Sequence, residues 1–204
     1  MLNIIEDFIP AGRRNRPGWA MKPEYISIHE TDNYNHWADA KNHAAYLKGQ
    51  IANDRPVSWH YTVDDKEAYK HLPTSETGYH AGDGQGPGNM SSIGIEICVN
   101  DDGDFTLACE HAAELTAILM TVLKIPIENV VQHNHWSGKD CPHRLRQGNK
   151  WQEWLDRVDS YLNPVDEKEE LRKQIRVLTA ERDMLKDKLK AIRECVTSFS
   201  TITK

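Results

Sequence analysis

Two histidines, a cysteine and a carboxylate are the residues of this chain best suited to act together. His133 ends a short apolar run (Ile127, Val130, Val131), and Cys141 follows within the stretch VQHNHWSGKDCPHR, residues 131–144. A neutral imidazole and a thiolate both suit zinc, but zinc takes four ligands and this stretch cannot close a site alone. His29 is a candidate partner. Ile26 and Ile28 face one way while Tyr25, Ser27 and His29 face the other, so Glu24 to His29 reads as a strand that ends on the histidine. Glu96 sits inside IGIEICV, residues 93–99, opposite an apolar face of Ile93, Ile95, Ile97 and Val99. A carboxylate there is costly unless it is paired or used. His29, His133 and Cys141 would leave one coordination position for water, as a catalytic zinc requires, with Glu96 as the acid/base. His135 and His143 compete as ligands, and a fourth protein ligand from either would make the site structural.

The elements that must position these groups follow from periodicity. Residues 1–22 carry Pro10, Gly12, Pro17 and Gly18 and read as irregular. Asn35 can cap a helix whose stripe is Trp37, Ala40, Ala44, Leu47 and Ile51, with His36 and His43 on its solvated face. In Ser58 to Val63, Trp59, Tyr61 and Val63 share one face and His60 lies on the other, so His29, His60 and Glu96 reach the same side of a sheet. Ala68 to Leu72 can return as a hairpin. The segment GYHAGDGQGPGN, residues 78–89, lacks the Gly-Lys-Ser/Thr of a phosphate loop and reads as a long loop over a site. Asp101 to Asp104 lacks the closing Glu of a calcium loop and reads as a turn. Thr106 then caps a helix to about Lys124, buried along Leu107, His111, Leu115, Ile118, Leu119 and Val122. A short strand, 129–132, delivers His133, and a capping-box-like Asn149/Gln152 pair opens a helix with a core face of Trp151, Trp154, Leu155, Val158 and Leu162.

The last segment differs in kind. Leu171, Ile175, Leu178, Leu185, Leu189, Ile192, Val196 and Phe199 follow alternating steps of four and three, with Arg182 at the missing position. This regularity predicts a helical coiled coil and hence a homo-oligomer; a single amphipathic helix is the alternative. From Pro164 onward there are ten Lys/Arg against eight Asp/Glu, whereas the first 163 residues carry 15 against 23. The boundary therefore falls at Asn163-Pro164, giving a domain of residues 1–163 and a tail of 164–204.

With 204 residues and a net charge of −6, the chain offers no electrostatic reason to bind nucleic acid. No run of eighteen apolar residues suggests a membrane span. The N-terminus has no apolar h-region after a basic start, so synthesis in a cytoplasm without a signal peptide is expected. Four scattered cysteines then fit free thiols or a metal ligand better than disulfides.

The stretches YISIHET (25–31), VSWHYTVDD (57–65), AGDGQGPGN (81–89), SIGIEIC (92–98) and HNHWSGKDCPHR (133–144), in this order and spacing, resemble the type 2 N-acetylmuramoyl-L-alanine amidases, relatives of the peptidoglycan recognition proteins. The likeness covers roughly residues 20–160 and is nearest to endolysins and autolysins of Bacillus and Clostridium type. It implies an α/β fold with a mixed central β-sheet flanked by helices. It also implies Zn²⁺ held by His29, His133 and Cys141, with Glu96 as the catalytic carboxylate and Lys139 beside the developing oxyanion. Some relatives place a catalytic Tyr just before the second-strand His; that position is Trp59 here, which leaves Glu96 as the base. His60, His80 and Trp136 are then candidates for lining the substrate groove. The implied reaction cuts the amide between N-acetylmuramic acid and L-alanine in bacterial peptidoglycan. A phage endolysin acting on the wall after release is the expected setting. The rivals are a bacterial autolysin, a cytoplasmic muropeptide-recycling amidase and a non-catalytic peptidoglycan binder. The resemblance does not reach residues 164–204.

Overall fold

The computed structural model describes residues 2–164 and 167–202. It separates into two compact units, 1–163 and 164–204. The first is built on a six-stranded sheet. Its strands are β1 (Ile4–Glu6), β2 (Tyr25–Glu30), β3 (Tyr61–Val63), β4 (Ala68–Lys70), β5 (Ser92–Ile97) and β6 (Val130–Gln132), in the spatial order β1-β4-β3-β5-β2-β6. All neighbours are parallel except the β3–β4 hairpin, so the sheet is mixed. The helices are α1 (Ala40–Lys48), α2 (Gln50–Asn53), α3 (Pro87–Met90), α4 (Phe105–Leu123), α5 (Asn134–Ser137) and α6 (Lys150–Leu162), with α7 (Glu167–Ile202) forming the second unit.

The alternation in β2 and β5 does what it predicts. Ile26, Ile28, Ile93, Ile95 and Ile97 enter one core with Tyr61, Val63 and the small-residue side of α4. That leaves Ser27, His29, Ser92, Gly94 and Glu96 on the other face. A second cluster of Ile9, Leu47, Ala52, Trp59 and Leu72 fills the space under α1, so Trp59 does not share the core of Tyr61 and Val63.

Several local expectations are corrected. The segment read as irregular contains β1, an edge strand too short to show alternation, which pairs with β4. Helix α1 starts only at Ala40, because Asp39, not Asn35, accepts the Asn42 N–H as its cap. Trp37 and Ile51 consequently fall outside the buried stripe, at 67% and 64% exposure. His43 is buried rather than solvated and donates to the Asp39 carbonyl at 2.8 Å. In α4 the cap is Asp104, whose carboxylate accepts from the backbone N–H groups of Thr106 and Leu107. The buried stripe of α4 is Ala108, Ala112, Ala113, Leu115, Thr116, Ala117, Leu119 and Met120, while Leu107, Ile118 and Val122 are exposed. The alanines let α4 lie close between the sheet and α6, and their share of the buried side leaves Leu107, Ile118 and Val122 facing outward. By length and composition α4 would also suit a membrane span, but that alanine-rich side packs in the domain core. Asn149 occupies the α6 cap position without a side-chain hydrogen bond, and Gln152 pairs with Asp156 instead. In α7, Leu171, Ile175, Leu178, Leu185, Leu189 and Ile192 are exposed. The side chains of Val196 and Phe199 lie outside the described residues.

The polar face of the sheet is closed around buried histidines. His60 donates from Nε2 to the Glu76 carbonyl (2.9 Å) and accepts the Gly94 N–H at Nδ1 (3.0 Å), pinning β3 to β5 and to the following loop. Thr62 Oγ1 takes the Trp59 indole N–H (2.7 Å) and meets His71 Nε2 at 2.8 Å. Burial pushes His60 down to about 4 and His71 to about 3. Both are therefore neutral in the fold, whereas the unfolded chain takes up these protons near pH 6.5. Their contribution to stability is complete above that value and is lost as the pH falls towards 4, by about 3 kcal/mol for His60 alone. Denaturant titration should show lower stability at pH 4.5 than at pH 7, and His60→Gln should weaken that dependence; equal stabilities would refute the assignment.

Candidate active site

Three strand ends converge at the carboxyl side of the parallel strands, where open α/β sheets place their sites. His29 is the direct register partner of Glu96, and Thr62 is the partner of Glu96 on the other side. β6 pairs with β2 up to Gln132, and the His133 N–H continues the ladder to the Ile28 carbonyl at 3.1 Å. His29 and His133 thus stand side by side on neighbouring strands. Cys141 arrives from the loop after α5, accepting the Glu30 N–H at Sγ (3.5 Å). Among the described residues, His29, His133 and Cys141 form a buried group whose ligand atoms all lie within 4.8 Å of one another. His135 and His143 are exposed and do not join it.

The tautomers follow from the partners. The Ser92 carbonyl can only accept, so His80 Nε2, 3.2 Å away, carries a proton. His80 Nδ1 is then an acceptor and takes the His29 Nε2–H at 3.1 Å. His29 Nδ1 therefore bears a lone pair, and it faces His133 Nδ1 at 2.9 Å, with Cys141 Sγ 4.0 Å away. With the His133 proton on its other ring nitrogen, two imidazole lone pairs and a sulfur would be turned to one buried space, an arrangement suited to a cation. Burial holds His29 well below the usual imidazole range and lowers His133 too, keeping both in the neutral ligating form. Cys141 is pushed up to about 12 by burial and the nearby Glu96, so its thiolate needs a positive neighbour. The donor set therefore fits a divalent cation of borderline softness.

Glu96 stands at the edge of this group. Its Oε1 is 3.9 Å from His29 Nδ1, its Oε2 is buried without a hydrogen-bond partner, and its side chain keeps 14% exposure, enough to meet solvent. Burial raises its pKa to about 8; Lys139 opposes the shift, and Glu30 and Asp32 add to it. Lys139 is exposed and lines both grooves that flank the centre, one reaching Glu96 and the other reaching His80 and His133.

The remaining expected residues divide. His80 lines a groove and also orients His29. His60 is completely buried between β3 and β5, so its expected groove-lining role is corrected to a structural one. Trp136 donates its indole N–H to Ser27 Oγ (2.7 Å), stacks edge-on with Tyr25 and lines neither groove, so it anchors the loop instead of offering a platform. Residues given no role by the sequence also matter here. The buried Glu30 carboxylate accepts from the Arg144 N–H at 2.8 Å and the Leu145 N–H at 3.1 Å, tying the Cys141 loop to β2. A Cβ at Gly94 would lie 2.7 Å from the His80 ring, so that ring fits only over glycine. The sole sequence signal for Glu30 is a carboxylate next to His29 in an apolar strand.

The sequence profile of the N-acetylmuramoyl-L-alanine amidases (Amidase_2) matches residues 19–144, a span containing every residue of the centre. The chain belongs to this family. It is 56% identical over 145 residues to N-acetylmuramoyl-L-alanine amidase XlyA of Bacillus subtilis (strain 168), covering 71% of this chain and 48% of the relative. It is 48% identical over 166 residues to amidase CwlH of the same organism, covering 81% and 62%. The chain thus spans about half to three fifths of the curated relatives it matches. A solved structure of the XlyA catalytic domain aligns with a TM-score of 0.73 at 52% identity, covering 77% of this chain and 99% of that chain. In this family member, removal of the His80 ring should leave the His29 tautomer unset. His80→Ala is expected to weaken cation binding by about 10–100-fold in competition with a chromophoric chelator; unchanged affinity would show that His29 is oriented without it.

Proposed function

We propose that the domain of residues 1–163 is a zinc-dependent N-acetylmuramoyl-L-alanine amidase that cuts the amide joining N-acetylmuramic acid to L-alanine in bacterial peptidoglycan. The observation that carries this reading is the convergence of His29 Nδ1 and His133 Nδ1, 2.9 Å apart, with Cys141, and the unpartnered carboxylate oxygen of Glu96 at their edge. Family membership supplies the substrate. A non-catalytic binder would have no use for both the complete donor set and Glu96.

His29, His133 and Cys141 would hold the zinc. When bound there, zinc lowers the pKa of water and polarises the scissile carbonyl. Glu96 takes the proton of the attacking water and delivers it to the leaving amine. A cation at the centre opposes the burial that raises the Glu96 pKa, favouring the base form. Lys139, between the two grooves, offers positive charge to the oxyanion as it develops. Trp59 is buried, with its indole N–H on Thr62, so it takes no part in the proton transfer.

The setting we favour is a phage endolysin, made in the host cytoplasm and acting on the wall after release. A solved structure described as a mutant endolysin from Bacillus subtilis, 53% identical over 78% of this chain with a TM-score of 0.74, supports it. For α7 we favour a coiled coil with a second copy of the chain, supported by the exposed seam from Leu171 to Ile192. Coupling copies would raise avidity on a polymeric wall.

Mass spectrometry of digested sacculi should find released stem peptides and intact glycan strands; cut glycans or cut peptides would overturn the bond assignment. Glu96→Ala should retain zinc and lose wall hydrolysis by about 10²–10⁴-fold, and a normal rate would remove Glu96 from its role. Light scattering should give a multiple of the chain mass for the native protein and the single-chain mass for Leu178→Asp/Leu185→Asp. A monomeric native protein would end the coiled-coil proposal.

A further inference from the structure

The groove on the Glu96 side has a volume of about 620 Å³ and runs from Glu96 and Lys139 out to Asn33, Asn35, Trp37 and Tyr46. Trp37 is its unusual member. Its φ of +66° lies in the left-handed region, which a bulky side chain adopts only under constraint. The constraint is visible. The Trp37 N–H donates to Asp102 Oδ1 at 3.0 Å, and the Trp37 carbonyl accepts from Asn42 Nδ2 at 2.8 Å. The His36 ring meets the indole edge-on with centroids 4.7 Å apart. All this holds an indole that is 67% exposed, so core packing does not explain the conformation. A strained backbone fixed from both sides, presenting a large apolar ring to a groove beside the catalytic group, marks a binding residue.

The charge around it selects the ligand. Asp102 holds the Trp37 N–H and Asp101 pairs with the neighbouring His36, while Lys139 at the inner end is the one Lys or Arg among the lining residues. The free carboxylates of a stem peptide would meet these aspartates and Glu96 with only Lys139 and His36 to offset them. The muramoyl carboxyl is consumed in the scissile amide, so the sugar side of the substrate is uncharged. N-acetylhexosamines also offer an apolar C–H face and an acetamido group, matching an indole and the carboxamides of Asn33 and Asn35. We propose that Trp37 is the specificity-determining platform for the N-acetylated sugar adjoining the scissile bond, and that this groove takes the glycan while the stem peptide lies on the other side of Lys139. This rests on the amidase reading for the identity of the substrate.

The test is a binding measurement, so that its failure and a failure of the amidase reading are distinguishable. The full zinc-loaded chain carrying Glu96→Ala is titrated, by NMR, with the disaccharide N-acetylglucosaminyl-N-acetylmuramic acid whose lactyl carboxyl is capped as a methyl amide. It is titrated separately with the tripeptide L-Ala-γ-D-Glu-L-Lys. Adding Trp37→Ala should weaken the disaccharide by about tenfold and leave the tripeptide unchanged, while Trp37→Phe should keep most of the disaccharide affinity. Trp37→Gly, which removes the left-handed strain, should raise Tm and still lose the disaccharide, separating lost binding from lost folding. Equal disaccharide affinity with and without Trp37, weakening of the tripeptide alone, or no disaccharide binding by the parent protein would each overturn the proposal. If the native chain leaves sacculi intact, the amidase reading falls while these titrations still report on the sugar platform.

Discussion

The site depends on two imidazole nitrogens that the sheet holds face to face, His29 Nδ1 and His133 Nδ1 at 2.9 Å. His29 spends its one ring proton outward, on His80 Nδ1, and so presents a lone pair inward. That choice is fixed by backbone: the Ser92 carbonyl sets His80, and the sheet register sets both ligand histidines. Outer hydrogen bonds choose which nitrogen is available, and the strands choose where it points.

That dependence gives structural meaning to residues with no chemical role of their own. Gly94 is small so that the His80 ring can lie over β5. A Cβ at Gly88 would lie 2.7 Å from Trp136 Cγ, and Trp136 in turn reaches Ser27 on β2, so the glycine-rich loop and the α5 turn pack on each other. Glu30 completes the frame. Its N–H meets the Cys141 sulfur while its carboxylate holds the next turn of the same loop. One residue thus joins β2 to the third donor and to the turn that follows it.

Much of this was legible in the sequence. The period-two alternation of β2 and β5 fixed which face carries His29 and Glu96, and the type and order of His29, Glu96, His133 and Cys141 marked the centre. What stayed hidden was set by tertiary contact. The start of α1 moved to Ala40 because Asp39 caps it, which put Trp37 in an irregular turn and His43 under cover. The stripe of α4 does not follow its largest residues, because alanines take much of the closest packing and leave Leu107 and Val122 outside. His60 and Trp136 looked like groove residues by their place near motifs. Burial and the partners Glu76, Gly94 and Ser27 make them pegs instead, and those partners lie 16, 34 and 109 residues away.

The distances along the chain carry a final consequence. His29 is separated from His133 by 104 residues and from Cys141 by 112. A cation gripping all three closes one loop that spans more than half the domain, from His29 to His133, and a short one from there to Cys141; cross-links closing long loops restrict an unfolded chain most. Zinc in this protein would be a staple as much as a reagent: the ion that serves hydrolysis would also fasten the first long strand to the last loop of the site, so that shedding it loosens the fold along with the chemistry.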